Sequence, residues 1–522
     1  MVLGQRHAVR AMLAPLLAAG LALPAVAADT TLAEELAKPK RYVVREATVS
    51  GLQQEAPQLP DLSPYTKQAV QARIPKAARG RATLRRMVDL EALGEFVSGQ
   101  QTTRLSEWAS RQSSNPVVIV VEGGHLTLPQ LARQLGRQQL AETGAGIYTL
   151  RLPLLVAQGA SLLIDDSVKE LRLSQEAGAF LVNDGKLFIV DTHLTSWRER
   201  EGTPAAFRSG DEFRPFLVSW GGSELYIAGS SLTSLGYSAS KAYGISISQY
   251  SPARQKRLQR PSPKGWIVDS DFVDNWFGFY CFEADDLVVV GNRYRGNIVY
   301  GIDPHDRSHK LIIANNRVED TRKKHGLIVS REVSHSWIFG NVITSSGLSG
   351  IVIDRSSVGN IIADNTVYNN GGDGITIYES PDNLLWGNRS VSNAKHGIRV
   401  RNSMRIKLYN NLSIANQFAG IYGHVKDLSG TDRNLRLDPF EQHISMVVVG
   451  GQLVHNGSSP VSIDKPLSLE LYDVDLLAPA SSTGISFNGV LGENQNRLLD
   501  LLVRQRVPVL IEPVDEPQGS RS

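Results

Sequence analysis

The 522-residue sequence contains a single cysteine, Cys281. That excludes an internal disulfide framework and any multi-cysteine zinc site. Neither sign of charge is in excess: 55 Lys+Arg against 52 Asp+Glu leave a net charge of +3. Affinity for a polyanion must therefore come from local clusters, not bulk charge, and nucleic acid is not expected as a partner. The apolar run from Ala11 to Leu23 falls short of the ~20 residues a membrane-spanning helix needs, and no later run reaches that length, so no membrane insertion is expected. Gly-x-x-x-x-Gly-Lys-Ser/Thr and a strand-linked Gly-x-Gly-x-x-Gly are missing, which argues against ATP and NAD. Glycine, at 46 residues, is in slight surplus and points to frequent turns.

The sequence opens with an address. Arg6, His7 and Arg10 precede the run Ala11 to Leu23, and Ala25-Val26-Ala27 supplies a small-x-small cleavage pattern. Residues 1–27 are expected to be a signal peptide cut after Ala27, leaving an exported protein. Residues 28–155 mix proline and charge without a clear repeat and are assigned to an N-terminal accessory or cap region. From about residue 156, short runs of Leu, Ile, Val and Phe alternate with Gly/Asn/Asp/Ser turns.

In the central third these runs acquire a period. Asparagine recurs at 292, 316, 341, 365, 388 and 411, and glycine at 278, 301, 326, 350, 374, 397 and 420, both at intervals of 23 to 25 residues. A strand-and-turn repeat of that length, without leucine-rich-repeat spacing, suits one turn of a right-handed parallel β-helix. The fold is therefore expected to be all-β, with the helix over 156–450. Residues 451–522 should hold irregular strands, a capping helix over 493–506 and a tail. The asparagines should form a structural ladder at equivalent turns, and this explains the Asn-x-Ser matches at Asn388 and Asn411 better than glycosylation does.

Aligned on the glycine column, the next position is apolar at every rung, Phe279, Ile302, Leu327, Ile351, Ile375, Ile398 and Ile421, and must point inward. Cys281 shares a second inward column with Val329 and Ile353 and is read as a buried hydrophobe. The outward columns carry Asp303, His305, Asp354, Tyr378, Arg399, Arg401 and Tyr422, and the strand-end column carries Asp306, Arg331 and Arg355. Neighbouring rungs lie about 4.8 Å apart, so Arg331 and His305 can reach one ligand. Pro304 breaks an inward column of Cys, Val and Ile where proline forfeits a ladder hydrogen bond. A local rule broken beside Asp303, His305 and Asp306 marks a functional site.

The run Tyr300-Gly301-Ile302-Asp303-Pro304-His305-Asp306, on an exported β-helix, resembles the mannuronan C5-epimerases, in particular the periplasmic branch found in alginate-producing bacteria. Calcium-binding Gly-Gly-x-Gly-x-Asp repeats are missing, so no metal or other cofactor is implied. The resemblance implies periplasmic conversion of β-D-mannuronate to α-L-guluronate within a polymannuronate (alginate) chain, alongside other proteins of the polymer export machinery. It makes His305 the general base, Arg331 the group that neutralises the substrate carboxylate, and Tyr300 an acid/base partner in competition with water.

The chemistry fits these residue types. The C5 proton is a very weak acid because its removal leaves a dianionic enediolate, and an arginine fork can neutralise that charge. Histidine, with an unperturbed pKa of about 6.5, suits proton removal at neutral pH. Asp303 or Asp306 could fix its tautomer. Arg355, Asp354, Tyr378, Arg399, Arg401 and Tyr422 are expected to bind further uronates. Two alternatives remain from the residues alone: a polyuronate lyase, which shares the first step, and a non-catalytic polysaccharide-binding scaffold. The basic stretch from Pro252 to Lys264 is read either as a solvated loop or as a steering patch, and His325 as a possible helper at the site.

Overall fold

The computed structural model describes residues 41–48, 55–76, 78–97, 115–436, 438–477 and 485–514; the expected signal peptide lies outside them. The compact unit Tyr42–Ser522 is built on a parallel β-helix. Three fifteen-stranded sheets run along it among the described residues, and each rung contributes one strand to each sheet. The register confirms the columns read from the sequence. Phe279 pairs with Ile302 and Phe282 with His305, Ile302 with Leu327 and His305 with Ser330, and Ser330 with Asp354.

The glycine and asparagine columns have separate physical causes. A Cβ at Gly397 would lie 1.9 Å from the Ser413 hydroxyl and 2.7 Å from the Gly420 carbonyl oxygen, so close approach excludes any side chain there. At the asparagine turns, each Oδ1 accepts from the backbone N–H and the side-chain amide of the preceding rung, as between Asn292 and Asn316 at 3.0 Å. Each Nδ2 also donates to a carbonyl inside the coil, Asn341 to Ile313 at 2.9 Å. Asn388 and Asn411 are buried in this ladder. A second ladder, Asn370, Asn393, Asn416 and Asn456, follows the same rule at another corner. Cys281 is buried, as its column requires.

The coil is longer at both ends than expected. Strands Val117–Glu122 and Leu154–Val156 already form rungs of the same sheet as Leu181–Asn183, so the boundary at 156 falls inside the coil. At the other end, rungs continue regularly through 445–449, 452–454, 461–463, 468–472 and 475–477. An insertion between His424 and Ser445 obscures the period there, and the asparagine marker is replaced by Gly451. The C-terminal cap is helical over 490–493, 495–499 and 500–505, and it buries Leu491, Leu498, Leu501 and Leu502.

The region before 156 does more than cap one end. Strand Tyr42–Glu46 pairs antiparallel with Val509–Pro513 at the C-terminal end of one sheet. Strand Arg81–Arg86 pairs with Val117–Glu122 at the N-terminal end of another. Between them, Leu59, Leu62, Tyr65, Val70 and Ile74 pack on the outer face of the coil against Phe188, Tyr226 and Trp266.

Candidate active site

One sheet carries the outward polar columns. Near its N-terminal end its outer face is covered: Met87, Leu93 and Phe96 pack on Phe180, Phe216 and Trp220. Arg254 and Arg257 hold this cover by ion pairs to Glu91, and Arg260 is bound to Asp184. These three cations of the Pro252–Lys264 stretch are thus partnered within the fold, and the reading of that stretch as a solvated or steering loop gives way to a clamp. Beyond the cover the face opens into a cavity of about 620 Å³ lined by Tyr300, Asp303, His305, Asp306 and Arg331. The structure brings together all five proposed catalytic residues.

Pro304 shapes the local backbone. Strands 277–282 and 300–305 pair at five positions, but 300–305 and 327–330 pair at only two, Ile302 with Leu327 and His305 with Ser330. The ladder is interrupted where residue 304 has no N–H to give. At the strand end Asp306 adopts a left-handed φ of 36°. Its carboxylate folds back onto its neighbour and accepts the Nδ1–H of His305 in a short contact. Asp306, not Asp303, is therefore the partner that can set the imidazole tautomer. The second oxygen of Asp306 lies 3.9 Å from Nη1 of Arg331, whose side chain is half exposed. Burial would raise the Asp306 carboxyl, but His305, Arg331 and Arg307 outweigh it and hold the group below its ordinary value.

Asp303 has a different environment. It is buried, its Oδ1 has no hydrogen-bond partner, and desolvation pushes its pKa from 3.8 to about 7 despite the charges of His305, Lys324 and Arg331. Tyr300 is held on three sides. Its ring stacks on His325 at 6.1 Å and meets the edge of Phe277 at 5.0 Å, and its hydroxyl accepts from Lys324 Nζ at 3.3 Å. Burial, then Asp303 and Asp354, raise the phenol well above its ordinary value. Burial lowers His325 to about 4, so it backs Tyr300 as a neutral ring.

A second cavity, of about 770 Å³, continues from Asp306 and Arg331 over Asp354, Arg355, Tyr378 and Arg401. Its far wall is the insertion after His424, where Arg433 pairs with Glu379 and with Asp438. Arg401 stacks on Tyr378 at 3.9 Å and pairs with Glu379 at 2.6 Å, so its charge is largely compensated. Arg355 lies 3.6 Å from Asp438 and 3.7 Å from Asp354. Arg399 and Tyr422 stand beyond both cavities. Tyr422 stacks between His396 and His424, and Arg399 reaches His424 at 3.3 Å and Asp373 at 3.5 Å.

Sequence reasoning missed Lys324, Lys241 and Tyr243, which also line the first cavity, together with Tyr280 of the outward column that carries Asp303. Lys324 precedes a residue of the Tyr300 column by one position, which is its one local signal. Lys241 lies in an irregular insertion before the strand Gly244–Ser248, has no column to mark it, and sits 3.2 Å above the Phe282 ring. Among the described residues, no group of three or more His, Cys, Asp or Glu is placed to hold a metal ion.

Comparison with known proteins adds four findings. A family described as "Periplasmic copper-binding protein (NosD)" matches residues 234–358 and 262–425, which lie within the coil. The chain is 54% identical to a mannuronan C5-epimerase of Pseudomonas putida over 98% of its length and 97% of the relative's. It is 57% identical to that of Pseudomonas aeruginosa over 93% of its length and 89% of the relative's. The crystal structure of the periplasmic alginate epimerase AlgG superposes with a TM-score of 0.80 at 52% identity, covering 81% of this chain and 100% of that one.

Proposed function

The chain belongs to the mannuronan C5-epimerases and converts mannuronate to guluronate within alginate, and on that premise we propose that His305 removes the C5 proton while Arg331 neutralises the neighbouring carboxylate. The observation that carries this assignment is the bond from His305 Nδ1–H to Asp306. With Nδ1 engaged, Nε2 keeps its lone pair for a proton acceptor's role in the cavity. Arg331 stands one rung away, loosely held, with a planar fork suited to a carboxylate. Donors aimed at developing oxyanion charge contribute several kcal/mol to such a step.

Tyr300 returns a proton to C5 from the opposite face. It keeps its own proton at neutral pH because burial raises its phenol. Asp303, neutral over part of the working range, is placed to bond sugar hydroxyls as donor or acceptor. Arg355, Asp354, Tyr378 and Arg401 hold uronates adjacent to the reacting one, and Arg399 and Tyr422 contact the polymer farther along the same sheet. The protein acts in the periplasm after loss of residues 1–27, alongside other proteins of the polymer's export machinery. The leader pattern and the relative described as periplasmic support that placement.

His305→Ala and Arg331→Ala should each lower kcat by at least about 10²-fold while the melting temperature and much of the polymer binding are kept. Proton NMR of guluronate formed from polymannuronate, with binding measured in parallel, checks this. Wild-type turnover in His305→Ala would overturn the assignment.

A further inference from the structure

We propose that Lys324 is the positioning residue that makes Tyr300 the proton donor of the reaction. The inference rests on the reading of His305 as base and Tyr300 as acid, and it concerns which way a proton points. Lys324 Nζ lies 3.3 Å from the Tyr300 hydroxyl. An ammonium group has three donors and no acceptor, so in this pair the phenol oxygen must accept. The phenolic hydrogen is then not used on Lys324 and is left to donate into the cavity. His305 is held in the opposite sense, because donation from Nδ1 to Asp306 leaves its other nitrogen as an acceptor. Lys324 and Asp306 thus polarise the two ends of one strand, the first towards giving a proton and the second towards taking one.

The support is rigid. Arg322 Nη2 bonds Asp274 at 2.9 Å, and the backbone N–H groups of Arg322 and Lys323 donate to Asn297 and Ile298 of the preceding rung. The Lys324 carbonyl accepts from Leu348 of the next rung. His325 and Phe277 fix the Tyr300 ring, so the hydroxyl has little freedom to leave the ammonium. Lys324 Nζ also lies 5.4 Å from the Tyr300 ring centroid. Its side chain is otherwise exposed, so substitution should leave the fold intact.

Two fates compete for the intermediate. After His305 takes the C5 proton, the enediolate accepts the Tyr300 proton at C5 to give the epimer; His305 then releases its proton to solvent and the phenolate takes one up. If that donation is slow, the electron pair can instead form a C4=C5 double bond while the C4–O4 bond breaks. O4 leaves with its pair and takes a proton from solvent, and an unsaturated chain end results. A residue that only buttresses the fold would slow both outcomes together, whereas one that aims the donor should change their ratio.

The test uses the purified enzyme with polymannuronate, following guluronate by NMR and unsaturated ends by ultraviolet absorbance. Lys324→Met should lower kcat by about 10- to 100-fold, move KM far less, and raise the ratio of unsaturated ends to guluronate. Lys324→Arg should restore most of the rate. Tyr300→Phe should be at least as slow, and the double variant no slower than Tyr300→Phe alone, because the lysine acts through the tyrosine. Wild-type turnover in Lys324→Met, a loss confined to KM, an unchanged product ratio, or additive effects in the double variant would overturn the proposal. His305→Ala, run beside them, separates the two failures: if it retains turnover the underlying reading falls, and if it is inactive while Lys324→Met behaves as wild type, only the role of Lys324 falls.

Discussion

Asp303 and Asp306 are three positions apart and titrate in opposite directions. Asp306 gains a histidine and two guanidinium neighbours, so its carboxylate is favoured. Asp303 points into the floor of the cavity with one oxygen unpaired, and burial disfavours its charge. The consequence for stability has a definite sign. Between pH 3.8 and about 7 the unfolded chain releases this proton while the folded chain keeps it. Stability from Asp303 is therefore fully present below the ordinary carboxyl value and is lost as pH rises through its folded one. Asp303→Asn removes the liability, so its melting temperature relative to wild type should rise between pH 4 and pH 8. The shift corresponds to at most about 4 kcal/mol. Thermal melts of both proteins across that range would check it, and a difference independent of pH would refute it. Asp303 was visible in the sequence as a member of an outward column, but its titration was not. The same cavity is lined by Tyr280 from the preceding rung, Tyr300 from the start of the same strand and Lys241 from an irregular loop.

At the level of elements, the ladders show why the register of the coil was readable and its ends were not. An asparagine at each corner accepts two bonds from one neighbouring rung and donates to others, so the requirement repeats with the rung and leaves a period in the sequence. Asn341 is typical: it accepts from the backbone and the side chain of Asn316, and donates to Ile313 and to Asn365. Asn341→Ala would leave several buried donors and acceptors unpaired at about 1–3 kcal/mol each. A loss of about 3 kcal/mol or more is expected, seen as a lower denaturation midpoint with the site residues unchanged. A loss near zero would mean that the ladder is decorative. The segments that escaped the sequence reading obey no period. The cover over Trp220 depends on Glu91 meeting Arg254 and Arg257 across more than 160 positions. Strand Tyr42–Glu46 pairs with Val509–Pro513, a strand over 460 residues away. Such pairings are set by the folded surface, and a local motif cannot announce them.

For the whole molecule, the decisive feature is that one face of the coil is open over a limited length. Cover from residues 87–97 closes the sheet above the strand Phe277–Phe282, and the insertion carrying Arg433 walls the second cavity beside Glu379 and Arg401. The two cavities therefore span six rungs, from 277–282 through 300–305, 327–330, 351–354 and 375–378 to 398–401. Five rung spacings of about 4.8 Å make roughly 24 Å of groove. His305 lies in the second rung, so the groove is asymmetric about the reacting sugar, with most of its length on the side of Arg331, Arg355 and Tyr378. Binding energy gathered along that side can be used to orient the reacting unit, and truncated substrates should then lose kcat as well as affinity. Size-fractionated oligomannuronates, assayed for guluronate by NMR, should show kcat/KM rising with chain length and levelling off once the groove is filled. Arg355→Ala should weaken that rise for long chains while leaving the shortest substrates nearly unchanged, because they do not reach the second cavity. Equal kcat/KM for short and long chains would mean that the second cavity does not hold the polymer.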